Sequence, residues 1–350
     1  NVSAHYALSH QLRLIGQTEE WHKTLQKFDE LSRAGFEGVS SSYQGQGKYA
    51  EAITDGSYAN ENHGDDITAA IEFELSQKFE LAQNLHCVNA ILGKEGLDLV
   101  ITTNDGIRLW TNEGMGFEPS DRWTFHTSST FVNDLVFGNL DNDEDQDMVM
   151  SSVDNSFCIL NEEDEFKTSS NLGTGSARSV LADVDHDGDL DVLCIGNNEH
   201  RLWSNDGSAS FSDITQQAGI KNSIGSRAIF ADFDNDRDID FMVLGKSDKI
   251  ELYENNRNGT FSDRADERGL NNRANKITLV DFSIGDFNPD GRMDISAITR
   301  KGQLLTYVNT QNATGSHVFR ESNKLKLPFD SAQGIHTADF DNDGDLDLVT

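Results

Sequence analysis

"DVDHDGDLDVLCIG", residues 183–196, sets aspartates at every second position around one glycine and then turns apolar. Asp183, Asp185, Asp187, Asp189 and Asp191 repel one another unless a positive charge lies among them. A hard cation meets that need, because calcium takes about six to eight oxygens in flexible geometry and a compact loop supplies them from alternate residues.

The stretch recurs as "NLDNDEDQDMVM" (139–150), "DFDNDRDIDFMV" (232–243), "DFNPDGRMDISA" (286–297) and "DFDNDGDLDLVT" (339–350), at steps of 44, 49, 54 and 53 residues. A faded copy, "AILGKEGLDLVI" (90–101), keeps only Asp98 and the apolar run. Polar turns follow in "RLWTNEG" (108–114), "RLWSNDG" (201–207) and "ELYENNRNG" (251–259), and a phenylalanine opens the next stretch in "SFSDITQQAGI" (210–220) and "TFSDRADERGL" (260–270). Asn and Gly between β-prone runs are hairpin chemistry. Each unit therefore reads as four strands: one before the acidic loop, one after it, and a hairpin. Such units at this period predict an all-β chain, a β-propeller of six or seven four-stranded blades. Residues 67–350 are assigned to it, and residues 1–66 to an N-terminal extension.

Counted from its first residue, each loop offers cation ligands at positions one, three, five and nine, with position seven giving its backbone carbonyl. The candidate set is Asn139, Asp141, Asp143, Asp145 and Asp147; Asp183, Asp185, Asp187, Asp189 and Asp191; Asp232, Asp234, Asp236, Asp238 and Asp240; Asp286, Asn288, Asp290, Arg292 and Asp294; and Asp339, Asp341, Asp343, Asp345 and Asp347. Arg292 at position seven cannot coordinate through its side chain, which is why the carbonyl is assigned there. Gly188, Gly291 and Gly344 at position six suit a left-handed backbone, whereas Glu144 and Arg237 carry a β-carbon that is strained there. Three strong calcium sites and two weaker ones, 139–147 and 232–240, follow. An EF-hand is excluded, since it needs a glutamate at the twelfth position and flanking helices, and Cys194 stands there.

The loops hold 23 of the 60 acidic residues, so without them the formal charge of −32 would be −9. Such a surface repels nucleic acid and anionic lipid, and no apolar run approaches the roughly 20 residues of a membrane span.

At these loops the chain resembles the FG-GAP/VCBS repeat family, and "LWSNDGSASFSDITQQAGI" (202–220) is similar to its cartilage-acidic-protein and UnbV branch. The resemblance covers roughly residues 78–350. It implies a secreted or cell-surface propeller whose calcium sites brace the blades, with partners bound elsewhere on it. The literal Phe-Gly pair stands only at Phe137-Gly138, and there is no Gly-Ala-Pro, so the match is to the VCBS-like form. One strand follows the last loop; "KFELAQNL" (78–85) is a candidate to complete that blade.

Trp21, Leu25, Phe28 and Leu31 fall on one face of a helix predicted near 18–34, followed by a Gly- and Ser-rich linker. Cys87, Cys158 and Cys194 sit in apolar segments and read as buried free thiols. His186 lies at a non-ligand position and reads as solvated. Asn1, Asn258 and Asn312 open glycosylation triplets. There is no H-E-x-x-H, zinc-spaced Cys/His cluster, G-x-S-x-G elbow or phosphate loop, and no catalytic residue is assigned. The expected function is adhesion-type recognition of an extracellular protein or glycan. A polysaccharide lyase on the same scaffold, or a structural assembly subunit, is the alternative.

Overall fold

The stretches after the acidic loops, "DMVMSS", "DVLCIG", "DFMVLG" and "DISAIT", are buried at every residue. A strand apolar on both faces must be covered on both, so each lies between two other layers. The computed structural model describes Lys23 and residues 85–350, apart from 93–95, 104–105, 113–115, 126–131, 144, 163–164, 197–198, 222, 246–248, 272–277, 314, 329–330 and 341–343. The chain divides into two units, Asn1–Asp66 and Ile67–Thr350, and every strand among the described residues belongs to the second.

The first sheet is β1 (Leu85–Leu92), β2 (Leu97–Thr103), β3 (Gly106–Asn112) and β4 (Phe117–Phe125). The second is β5 (Val132–Gly138), β6 (Asp147–Ser152), β7 (Asn155–Glu162) and β8 (Glu165–Thr174). The third is β9 (Ser176–Ala182), β10 (Asp191–Gly196), β11 (His200–Asn205) and β12 (Phe211–Asp213). The fourth is β13 (Gly225–Ala231), β14 (Asp240–Gly245), β15 (Ile250–Asn255) and β16 (Phe261–Asp263). The fifth is β17 (Leu279–Gly285), β18 (Asp294–Thr299), β19 (Gln303–Gln311) and β20 (His317–Lys326), and β21 (His336–Ala338) with β22 (Asp347–Val349) forms a two-stranded sixth. Strands pair antiparallel in sequence order throughout. This is the predicted all-β propeller, with five four-stranded sheets and one two-stranded sheet among the described residues.

The period-two alternation of each second strand divides its side chains between two seams. On β10, Val192 and Cys194 join Val149, Cys158 and Leu172 of the second sheet. Its alternate residues Leu193 and Ile195 join Phe241, Val243 and Tyr253 of the fourth. On β14, Met242 and Leu244 turn the other way, onto Phe282, Ile295 and Tyr307. Two further clusters fill the seams at either end. The core is thus a series of seams between sheets.

The turn after a short fourth strand docks on the next sheet. Phe261 N–H donates to the Ala218 carbonyl at 2.7 Å, and Phe319 N–H to that of Arg268 at 2.8 Å. All three cysteines are free, with Cys158 and Cys194 buried as expected and Cys87 half-buried; burial pushes the two buried thiols up to about 12 and about 11. The predicted helix, the linker and residues 78–84 lie outside the described residues, except that Lys23 is helical and exposed.

The Asn205 side chain ties the third sheet to the second, donating to Leu140 O at 2.8 Å and to Leu190 O at 3.2 Å. Asn205→Ala is expected to cost about 2 kcal/mol in urea denaturation, equally in calcium and in chelator. A loss confined to calcium buffer would place Asn205 in the metal site instead.

Candidate metal centre

Each acidic loop joins the first strand of a sheet to the second, and its ninth residue opens that second strand. Both oxygens of this aspartate accept backbone N–H groups. Asp191 Oδ2 takes Val184 N at 3.0 Å and Oδ1 takes Asn205 N at 2.9 Å. Asp147 takes Leu140 N and Asn161 N, Asp240 takes Phe233 N and Asn255 N, and Asp294 takes Phe287 N and Asn309 N. Asp347 Oδ2 takes Phe340 N, and Asp98 of the faded copy takes Asn112 N. One carboxylate therefore closes the loop and fastens it to the third strand. Each oxygen retains a second lone pair for a cation.

The first aspartate wraps the loop. Asp183 Oδ1 accepts Asp187 N and Oδ2 accepts Gly188 N, both at 3.1 Å; Asp232 and Asp286 make the same pair of contacts, and Asp339 Oδ2 accepts Gly344 N. The position-six backbone is left-handed as expected, with φ of 98° at Gly188 and 78° at Arg237. Position four is left-handed too, at Asn142, His186 and Asn235, which the sequence reading did not anticipate.

Two sets of carboxylates bring one oxygen each within 4.8 Å of the others: Asp183, Asp185 and Asp187, and Asp232, Asp234 and Asp240. Among the described residues the other loops hold no such acidic trio. Asn139 and Asp141, at positions one and three of the 139–147 loop, and Asp234 each have a buried Oδ1 with no hydrogen-bond partner. An orphaned buried acceptor is costly, and here it faces other acceptors. Burial, reinforced by neighbouring negative charges, pushes Asp234 up to about 7. Burial pushes Asp240 up to about 8 despite its two N–H donors, and Asp147, Asp191 and Asp294 up to about 6. An all-oxygen, electron-rich, donor-starved set is what a hard divalent cation fits.

Neighbouring loops are joined through position four. Asn142 Nδ2 donates to Asp189 Oδ1 at 2.8 Å, His186 Nε2 lies 3.2 Å from Asp238 Oδ1, and Asn235 Nδ2 donates to Gly291 O at 3.0 Å. His186 is therefore an inter-loop contact and not merely a solvated side chain. Pro289 holds this position in 286–294, where its ring fixes φ negative. Position-seven side chains form bonds of their own: Asp238 and the Asp236 carbonyl accept from the Arg257 guanidinium, and Arg292 reaches Asp290 of its own loop at 2.6 Å and Asn309 O on the third strand at 3.0 Å. Asp145 N–H donates to Asp143 Oδ1, Asn288 is exposed, and Asp345 is exposed. Asp341 and Asp343 lie outside the described residues.

Sequence reasoning missed the asparagines 161, 205, 255 and 309. The signal was present, because each stands 14 or 15 residues after a ninth-position aspartate.

Residues 183–243, 232–297 and 286–350 each match the FG-GAP-like repeat, so the chain carries three FG-GAP-like repeats over residues 183–350. The carboxylate–asparagine arrangement extends to the first two sheets, which lie before the matched residues. No curated protein matches the chain. In fold it is similar to an Agrocybe aegerita lectin with specific recognition of non-reducing terminal N-acetylglucosamine, at TM-score 0.50 and 17% identity over 77% of this chain and 74% of the lectin. It is also similar to the V. cholerae biofilm matrix protein Bap1, at TM-score 0.41 and 14% identity over 70% of this chain and 38% of Bap1. At such identities the likeness concerns the fold alone.

Two roles for carboxylates in one loop separate experimentally. Asp191→Ala strands two buried N–H groups and is expected to cost about 3 kcal/mol in calcium and in chelator alike. Asp187→Ala removes an exposed carboxylate whose backbone contact is the Asp189 N–H at 3.0 Å, and should destabilise the protein far more in calcium than in chelator. Equal behaviour of the two variants in urea melts would refute the division.

Raised carboxyl pKa values also set a pH dependence. In chelator at neutral pH, Asp240 and Asp234 hold protons in the folded state that the unfolded chain has lost. Stability therefore falls as pH rises through their folded values of about 8 and about 7. His200, which burial lowers to about 4, is largely neutral in both states above about pH 7 and does not oppose the trend there. Melting temperature in chelator should fall between about pH 7 and about pH 8.5, and calcium, which favours ionised carboxylates, should flatten the curve. A flat curve in chelator would contradict the burial of these groups.

Proposed function

We propose that this chain is an extracellular or cell-surface, calcium-braced propeller that recognises a glycan or protein. The observation that carries the metal assignment is the set of orphaned, buried carboxylate and amide oxygens at ligand positions of the recurrent loops. Calcium is the cation whose coordination number and oxygen preference suit them. Positions one, three, five and nine would supply side-chain oxygens and position seven its carbonyl, with 183–191, 286–294 and 339–347 the stronger sites and 139–147 and 232–240 the weaker.

An extracellular setting fits, because calcium near millimolar concentration fills even modest loop sites. Bound calcium would neutralise charge that otherwise strains the seams, since successive loops are joined to one another. It would hold the sheets as one rigid body that presents its connecting segments for recognition. The FG-GAP-like repeats and a fold shared with a lectin support that reading.

Thermal melts in calcium and in chelator, with Asp187→Ala and Asp343→Ala, test the metal. A calcium-dependent rise of many degrees, reduced in either variant, is expected; an unchanged melt would refute calcium bracing. Binding of the calcium-loaded protein to a glycan array and to extracellular matrix proteins tests recognition. A protein that binds neither, or that cleaves acidic polysaccharide into unsaturated ends, would overturn the binding role.

A further inference from the structure

A cavity of about 330 Å³ opens where the fourth and fifth sheets meet the segment leading into β21, lined by Ser226, Gly245, Leu279, Arg300, Ala332 and Gln333, among others. Ser226 and Leu279 lie at the starts of β13 and β17, whereas Gly245 ends β14 and Arg300 follows β18. First strands run toward the acidic loops and second strands away from them. The cavity therefore occupies the opposite end of the sheets from the candidate metal centre.

Its floor is apolar and buried, at Leu279, Ala332 and Gly245. A side chain at Gly245 would press on the Lys249 carbonyl at 3.0 Å. Its rim is polar and exposed, at Ser226, Arg300 and Gln333. Arg300 is anchored through its backbone, whose carbonyl accepts Ala332 N–H at 3.0 Å. Its guanidinium has no hydrogen-bond or ion-pair partner among the described residues, which is notable in a chain with 60 acidic and 28 basic residues. Lys301 follows it in the turn, and Lys326 donates to the Lys301 carbonyl; the carboxylates beside the lining, Glu251 and Asp281, are engaged by Ser223 and Tyr253 and by Arg227 and Ile335 N–H. A six-residue strand such as β14 spans about 20 Å. That exceeds two Debye lengths of about 8 Å at physiological salt, so the acidic loops do not govern the potential here.

We propose that this cavity binds a carboxylate-bearing sugar residue, the carboxylate taken by Arg300 and the ring laid on the apolar floor with hydroxyls toward Ser226 and Gln333. A planar guanidinium offers a two-pronged match to a carboxylate. A volume near the lower end of small-molecule pockets suits one or two rings. The assignment rests on the recognition role proposed above and names a ligand class for it.

The test is amide chemical-shift titration of the calcium-loaded protein with methyl β-glucuronide and with methyl β-glucoside, which differ only in the carboxylate. Expected are shifts at Ser226, Gly245, Leu279 and Ala332 with the glucuronide, and binding about tenfold weaker both for the glucoside and for Arg300→Gln. Because the Arg300 guanidinium makes no hydrogen bond or ion pair among the described residues, the variant should melt like the parent, and a glutamine there keeps polarity without charge. No shifts at these amides, equal binding of the two glycosides, or unchanged binding by Arg300→Gln would overturn the subsite. A short polyglutamate peptide that shifts the same amides more strongly than the glucuronide would overturn the sugar assignment. Array binding that survives Arg300→Gln unchanged would retain the recognition role while removing this cavity from it.

Discussion

One aspartate in each repeat carries the structural burden of the loop. Its two oxygens accept one N–H from inside the acidic loop and one from the next strand of the sheet, as at Asp191 with Val184 and Asn205. The second N–H belongs to an asparagine whose side chain then crosses the seam: Asn205 reaches Leu140, Asn255 reaches Val184 and Asn309 reaches Phe233. Loop closure, sheet register and spacing between sheets are thus fixed by one short chain of hydrogen bonds. Removing any link strands a buried polar group, which ties the loops to the seams mechanically as well as electrostatically.

That coupling explains how acidic loops tolerate their charge. Asp98 stands in a copy that has lost its other carboxylates, yet it keeps its bond to Asn112 at 2.8 Å. The closing role is therefore separable from the cation-ligand role, and the first sheet retains the former alone. The loop at 232–240 goes further than the others in supplying its own positive charge. Arg257 bonds Asp238, and Arg268, paired with Glu254, approaches Asp234 at 3.9 Å. Even so, the Asp234 Oδ1 atom remains without a donor among the described residues, so the guanidinium groups at the rim leave it unsatisfied.

Much of this was legible in the sequence because the repeat is written in residue types with one strong physical reason each. Alternating aspartates around Gly188 announce a wrapped oxygen-rich loop, and "DVLCIG" announces a strand covered on both faces. The asparagines were harder to read. An Asn before Asp-Gly or Asn-Arg reads as turn chemistry, and only the register of β11 against β10 brings the Asn205 backbone to Asp191. Position four was harder to read: Asn142 and Asn235 are residues that tolerate a left-handed backbone, but His186 and Pro289 at the same position break the pattern. The Arg300 cavity was invisible, since its lining comes from two strand starts and two strand ends of different repeats.

The two ends of the sheets are consequently different environments built by the same strands. At one end, strand starts such as Asp191 and Asp240 are buried acids, and the connections between sheets are hydrogen bonds among loops. At the other, second strands end in Gly196, Gly245 and Thr299, and the connections carry at most one acid each, as at Asp154 and Glu199, with none in the Arg300–Gly302 turn. A Cβ at Gly196 would meet the Glu199 carbonyl at 1.9 Å and one at Gly225 would meet the Val243 side chain at 2.7 Å, so backbone packs closely there and leaves little room for side chains. Where packing relaxes, between the fourth and fifth sheets, a cavity forms beside the Arg300 guanidinium. A fold that concentrates its rigidity and negative charge at one end can vary the opposite end without disturbing the seams. Binding chemistry is best sought there, away from the residues that hold the sheets together.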